Sequence, residues 1–117
     1  MSIDTQKKNE AILQQIKICC EAIEDKKGEN IVVLQMPNDA SIASYFIIAD
    51  GKSEAQLRAM KKSVEDALEL KHGKSNTLNS GWQLIDLFDF VVHLFSEEKR
   101  SFYNLEQLWK DGRVIEV

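Results

Sequence analysis

The groups that could do chemistry in this 117-residue sequence are few: an Asp50-Gly51-Lys52-Ser53 stretch, two aspartates at Asp86 and Asp89, His93, and the adjacent thiols Cys19 and Cys20. The first stretch lies where a strand would hand over to a helix, a place at which backbone amides can meet a phosphate. Nucleotidyl transfer also needs carboxylates that converge on metal ions. Asp86 and Asp89 are the best pair, but they sit three apart across a turn, whereas a strand presents a metal pair at i and i+2 on one face. The simpler reading is preferred: Gly51 supplies a turn and Ser53 caps a helix.

His93 stands in an apolar strand. Alternation groups it with Val91 and Phe95, opposite Phe90, Val92 and Leu94. No carboxylate or nucleophile is set beside it by spacing, so a packed or interface histidine is expected over a catalytic one. A cysteine nucleophile would need a nearby base and a lowered pKa, and neither is visible. Neighbouring helix positions point about 100° apart, so Cys19 and Cys20 are expected as buried free thiols. No CxxC or Cys/His spacing suggests zinc.

Composition narrows the field. The formal net charge is -4, from 15 basic and 19 acidic residues. Phosphate-backbone binding depends on Lys and Arg, and no basic stripe, RNP aromatics or GXXG loop is present. Direct nucleic-acid readout is not expected, and a basic protein partner suits the sign better. Hydrophobic residues make up 44% of the chain, enough for a core without metal or disulfide staples. A polar start and the lack of a long apolar run lead to the expectation of no signal peptide, no membrane span and a cytoplasmic location.

The elements that must position these groups follow from periodicity. Residues 4–26 form an amphipathic helix, with Ile12, Ile16, Cys19, Cys20 and Ile23 on one face and Gly28 as the stop signal. Ile31–Leu34 is a buried strand ending before Pro37. Tyr45–Ala49 is a second strand. Ser53 and Gln56 have capping-box spacing at the start of a helix whose apolar face is Leu57, Met60, Val64 and Leu68, closed by His72-Gly73. Lys74–Gly81 reads as a polar loop. Trp82–Leu87 and Phe90–Phe95 pair as a hairpin. Ser96, Glu97 and Glu98 start a last helix, with Phe102, Leu105, Leu108 and Trp109 as its apolar side. The order predicts a single α+β domain spanning 1–117, with helices covering one mixed sheet.

The hairpin is too apolar for plain core. One face can bury against helices. The other must be covered as well or remain a sticky patch of the kind that marks partner sites. Residue types leave both readings open. Trp82, Leu87 and Phe88 are the expected anchors of such a patch.

Three stretches carry a resemblance: SIASYFIIADGKSEAQLRAM (Ser41–Met60), GWQLIDLFDFVVHLF (Gly81–Phe95) and EEKRSFYNLEQLWKD (Glu97–Asp111). In order and spacing they resemble the ribosomal silencing factor family, also called Iojap-like or RsfS, over roughly Ile12–Asp111. The resemblance implies a nucleotidyltransferase-like α+β topology without the catalytic carboxylates. It also implies a translational repressor with no enzymatic activity and no cofactor. The repressor would bind the large ribosomal subunit through ribosomal protein L-fourteen and sterically block the small subunit. Its contact surface would include Trp82 and Leu87, with Asp86 and Asp89 as flanking acids and His93 matching a family histidine. Phe88, which the family pattern lacks, would add apolar contact area if exposed, and no metal is implied. The role of His93 stays open.

The sequence departs from the family pattern in places. Phe88 replaces the turn glycine, so the turn type differs or Phe88 takes an unusual backbone geometry. The stretch Asn76–Gly81 replaces a glycine-containing segment, and Ser44 replaces an aspartate. An exposed apolar hairpin could also bury itself in a two-fold contact between free copies.

Overall fold

Helix α1 (Ile3–Asp25) forms where the apolar stripe predicts it, and Ile12, Ile16, Cys19, Cys20 and Ile23 are all buried. The structure is a computed structural model that describes residues 3–36, 44–69, 75–79, 81–87, 89–102 and 112–116. α1 ends in a Schellman arrangement: Gly28 N–H donates to the Ile23 carbonyl at 3.0 Å and Lys27 N–H to that of Glu24 at 2.9 Å. The left-handed residue is Lys27 (φ 67) rather than the expected glycine. Gly28 is needed for a different reason, because a Cβ there would collide with Ile23 Cγ2 and sit 2.8 Å from Met60 Sδ.

Strands β1 (Glu29–Gln35) and β2 (Tyr45–Gly51) follow as an antiparallel pair. Helix α2 (Glu54–Ala67) is capped by Ser53, whose Oγ accepts from Gln56 N–H at 3.1 Å. The Gln56 side chain returns to Lys52 N–H, at 2.6 Å, one residue earlier than a strict capping box. Its amide also donates to the Lys26 and Lys27 carbonyls, each at 3.0 Å, and so fastens the start of α2 to the end of α1. α2 stops earlier than the expected His72-Gly73 close. Leu68 caps it, and Glu69 turns into the left-handed region at φ 55. His72 and Gly73 lie outside the described residues.

The polar stretch read as a loop contains strand β3 (Ser75–Asn79), which pairs antiparallel with β4 (Trp82–Asp86). β3 sits at the edge of the sheet, where backbone pairing does not require apolar alternation, so the sequence pattern gave no sign of it. The hairpin continues through β5 (Phe90–Ser96), which pairs antiparallel with β4 as expected. Helix α3 (Glu97–Phe102) begins at Ser96, whose Oγ accepts from Lys99 N–H at 3.1 Å. Leu105, Leu108 and Trp109 lie outside the described residues. A short strand, β6 (Arg113–Ile115), pairs with β1.

The sheet order is β3-β4-β5-β2-β1-β6. Among the described strands only β2 and β5 run parallel, so the sheet is mixed and the fold is α+β. Alternation divides its side chains. Val33, Ile47, Ala49, Ile85, Phe90, Val92 and Leu94 join Ile16, Ile23, Leu57, Met60 and Val64 in a core beneath α1 and α2. Each fully buried large side chain contributes about 1.5–3 kcal/mol. The other face holds Leu34, Met36, Phe46, Ile48 and Phe95, flanked by Val32, Trp82 and Val91. Helix α3 touches β5 and β2.

Candidate functional site

The candidate residues gather on the β4–β5 ribbon. In register, Trp82 faces Phe95, Leu84 faces His93 and Asp86 faces Val91. These six side chains share the face of the sheet turned away from α1 and α2. Phe95 is buried, Trp82, Leu84, Val91 and His93 are half-buried, and Asp86 is exposed. The strip is thus neither sealed nor fully open.

Four rings form its centre. Trp82 lies 5.0 Å from Phe95, and His93 lies 5.5 Å from Phe46 and 5.9 Å from Phe95, the last pair nearly parallel at 9°. The Trp82 indole Nε1–H donates to His93 Nδ1 at 3.1 Å. Burial pushes the His93 imidazole down to about 4, so it is neutral near pH 7. No hydrogen bond joins it to a carboxylate or nucleophile among the described residues, as a general base would require.

The turn places the remaining candidates. Leu87 N–H donates to the Phe90 carbonyl and Asp89 N–H to the Leu87 carbonyl, both at 2.9 Å. Ser44 N–H donates to the Asp89 carbonyl at 3.0 Å and ties the turn to the approach of β2. Leu87 is half-buried, but it packs with the core beneath the helices and not with Trp82. Phe88 lies outside the described residues. At the other end of the ribbon Gly81 adopts φ 83, and a Cβ there would come within 2.7 Å of both Ser96 Oγ and Lys99 Cγ. Ser96 N–H also donates to the Gly81 carbonyl at 2.9 Å. Trp82 therefore starts from a fixed point beside α3.

The Asp50–Ser53 stretch is occupied by structural contacts. Asp50 is 5% exposed, and its carboxylate accepts from Arg100 at 2.6 Å and from Asn30 Nδ2 at 2.7 Å. Arg100 also donates to the Asn30 carbonyl at 2.6 Å. A Cβ on Gly51 would press 2.8 Å from Leu57 Cδ2. Ser53 is the helix cap as expected, but Asp50 and Gly51 are the last residues of β2, paired with Phe95 and Ser96, and not a turn; Gly51 is required by the close approach of α2. Sequence reasoning missed Arg100 and Asn30. The available signal was Asp50 itself, a carboxylate closing an otherwise apolar strand, since a buried charge requires a partner.

Among the described residues no group of three or more His, Cys, Asp or Glu could hold a metal ion. Cys19 and Cys20 are free and buried, and burial is the main cause that pushes their thiols up to about 12 and about 11. They are inert by the criterion that the thiolate is the nucleophile. No helix among the described residues is long and apolar enough to cross a membrane.

Fold and site together define a small α+β domain whose mixed sheet has one helix-covered face and, on the other, a smaller buried cluster edged by a half-buried aromatic strip. The model of a family described as "Ribosomal silencing factor during starvation" matches residues 9–117. The chain belongs to this family. It is 38% identical over 114 residues to the ribosomal silencing factor RsfS of Halalkalibacterium halodurans, covering 93% of this chain and 94% of that one. It is 35% identical to the Bacillus subtilis protein of the same name, covering 87% and 90%. A chloroplastic Iojap protein of Arabidopsis thaliana is 34% identical over 80% of this chain and 40% of its own length. Two crystal structures share the fold. One, from Bacillus halodurans, has a TM-score of 0.72 at 31% identity over 90% of this chain and 99% of its own. The other, from Chromobacterium violaceum, has a TM-score of 0.73 at 30% identity over 87% and 88%.

Proposed function

We propose that this chain represses translation by occupying the large ribosomal subunit through ribosomal protein L-fourteen, which keeps the small subunit from joining. Family membership supports a role on the ribosome. The observation that carries the docking reading is the half-open strip of Trp82, Leu84, Val91 and His93, edged by exposed Asp86. An aromatic anchor with an acidic rim suits a basic protein partner, because aromatic side chains concentrate binding energy and rim charges steer association. Trp82, Asp86, Leu87, Phe88, Asp89 and His93 are the proposed contacts. Occupancy alone gives the effect, without turnover or cofactor. Work in the cytoplasm fits the bacterial relatives, while the chloroplastic relative carries the family into an organelle.

The test is cosedimentation with purified large subunits, followed by addition of small subunits. The wild type is expected to travel with the large subunit and to reduce joining. Trp82→Ala with Leu87→Ala should abolish both, at about 2 kcal/mol for each anchor. Because Leu87 also packs with the core, circular dichroism must show the double variant folded at the assay temperature. Undiminished binding by a folded double variant sinks the interface. Light scattering of the free protein would show whether two copies pair through the same strip.

A further inference from the structure

The Trp82–His93 pair fixes more than packing. An indole N–H can only donate. Since it donates to His93 Nδ1 at 3.1 Å, that nitrogen must carry the lone pair. A neutral imidazole then has its proton on Nε2, and burial keeps the ring neutral. No group among the described residues meets Nε2. His93 is half-buried, with half-buried Leu84 across the strand pair and half-buried Val91 beside it on the same face. Among the described residues the Nε2–H is thus an oriented donor with no acceptor in a largely apolar strip, where an unmade hydrogen bond is costly once water is excluded.

We infer that His93 is a partner-reading residue, its Nε2–H fixed by Trp82 as a donor to a main-chain carbonyl of the docked protein. This inference rests on the docking reading given above. A carbonyl is favoured over a carboxylate because Asp86 stands on the same face, one alternation step from Leu84, and would repel a second negative charge. A backbone acceptor also suits a basic partner, whose side chains mostly donate. Trp82 then has two parts: it fills the strip, and it sets the tautomer.

Nitrogen-15 NMR of the free protein at pH 7 reads the tautomer, and large-subunit cosedimentation reads the docking. The wild type should show Nε2–H with an unprotonated Nδ1. Trp82→Phe, which keeps a ring but loses the donor, should yield mixed tautomers. His93→Asn keeps an acceptor near the Nδ1 position but cannot reach as Nε2 does. It should fold and bind about tenfold more weakly, the loss of one good hydrogen bond. His93→Gln, which carries an amide donor to the Nε2 position, should recover part of that loss. A protonated Nδ1 in the wild type overturns the inference without touching the docking reading. So does wild-type affinity in folded His93→Asn. If the wild type itself fails to cosediment, the docking reading fails and takes the inference with it, while the tautomer result still stands.

Discussion

The two faces of the sheet use the same strands but different residues. Beneath α1 and α2, Ile85, Phe90, Val92 and Leu94 are fully buried. One residue along each strand, Leu84, Val91 and His93 are only half-buried. The first face is bulk apolar packing, where shape decides stability. The second mixes apolar side chains with a polar pair, Trp82 and His93, and an exposed carboxylate. Alternation lets one hairpin serve the core on one side and display a surface on the other.

The largest test of that contrast pairs Phe90→Ala with Leu84→Ala. Phe90 should cost roughly 3–5 kcal/mol in urea unfolding, and Leu84 about 1 kcal/mol. Similar losses would mean that the second face is as tightly packed as the first. Next is the tie between the second face's end and α3. Arg100→Ala leaves the Asp50 carboxylate buried without its cation, and should cost about 3 kcal/mol. Arg100→Lys should restore only part: one nitrogen, Nη1, meets both Asp50 and the Asn30 carbonyl, but an ammonium is more strongly hydrated than a guanidinium and costs more to bury there.

A smaller effect comes from acid. Folding favours the neutral His93 ring, so its contribution is whole above the ordinary value of 6.5 and is lost as pH falls toward about 4. Discounted for partial exposure, the loss is on the order of 2 kcal/mol. Thermal melts across that window should show a drop that His93→Asn removes. An unchanged pH profile in the variant would assign the drop elsewhere. The smallest effect sharpens the first face: Cys19 and Cys20 should resist thiol reagents in the native protein and react on unfolding. Rapid native labelling would mean that the helix-covered face opens readily.

The face beneath the helices was legible in the sequence because it repeats. The stripe Ile12, Ile16, Cys19, Cys20, Ile23 and the alternation in Phe90–Phe95 each encode a direction, and both were found where expected. Elements held mainly by backbone pairing were not legible. β3 is built from Ser75, Asn76, Thr77, Leu78 and Asn79, and β6 from three residues, so neither has a side-chain pattern to read. The site was half legible. Spacing placed His93 with Val91 and Phe95, but not its bond to Trp82, which depends on the cross-strand register. Alternation does set Leu87, five residues on from Trp82, on the opposite face with Ile85, and it packs there against the core; grouping the two as anchors by residue type passed over that period.

The parallel seam between β2 and β5, where Tyr45 lies beside Phe90, has a consequence for the order of assembly. Parallel neighbours cannot be joined by a tight turn, so this seam closes only after α2, β3 and β4 have been threaded between its halves. Its closure entropy must be met before its contacts give any return. A chain interrupted before Phe90 already has α1, α2, the β1–β2 pair and the β3–β4 pair, yet Trp82 has neither Phe95 across from it nor His93 to receive its N–H. The surface therefore comes into being late and all together, when the last strand of the ribbon zips into the centre of the sheet.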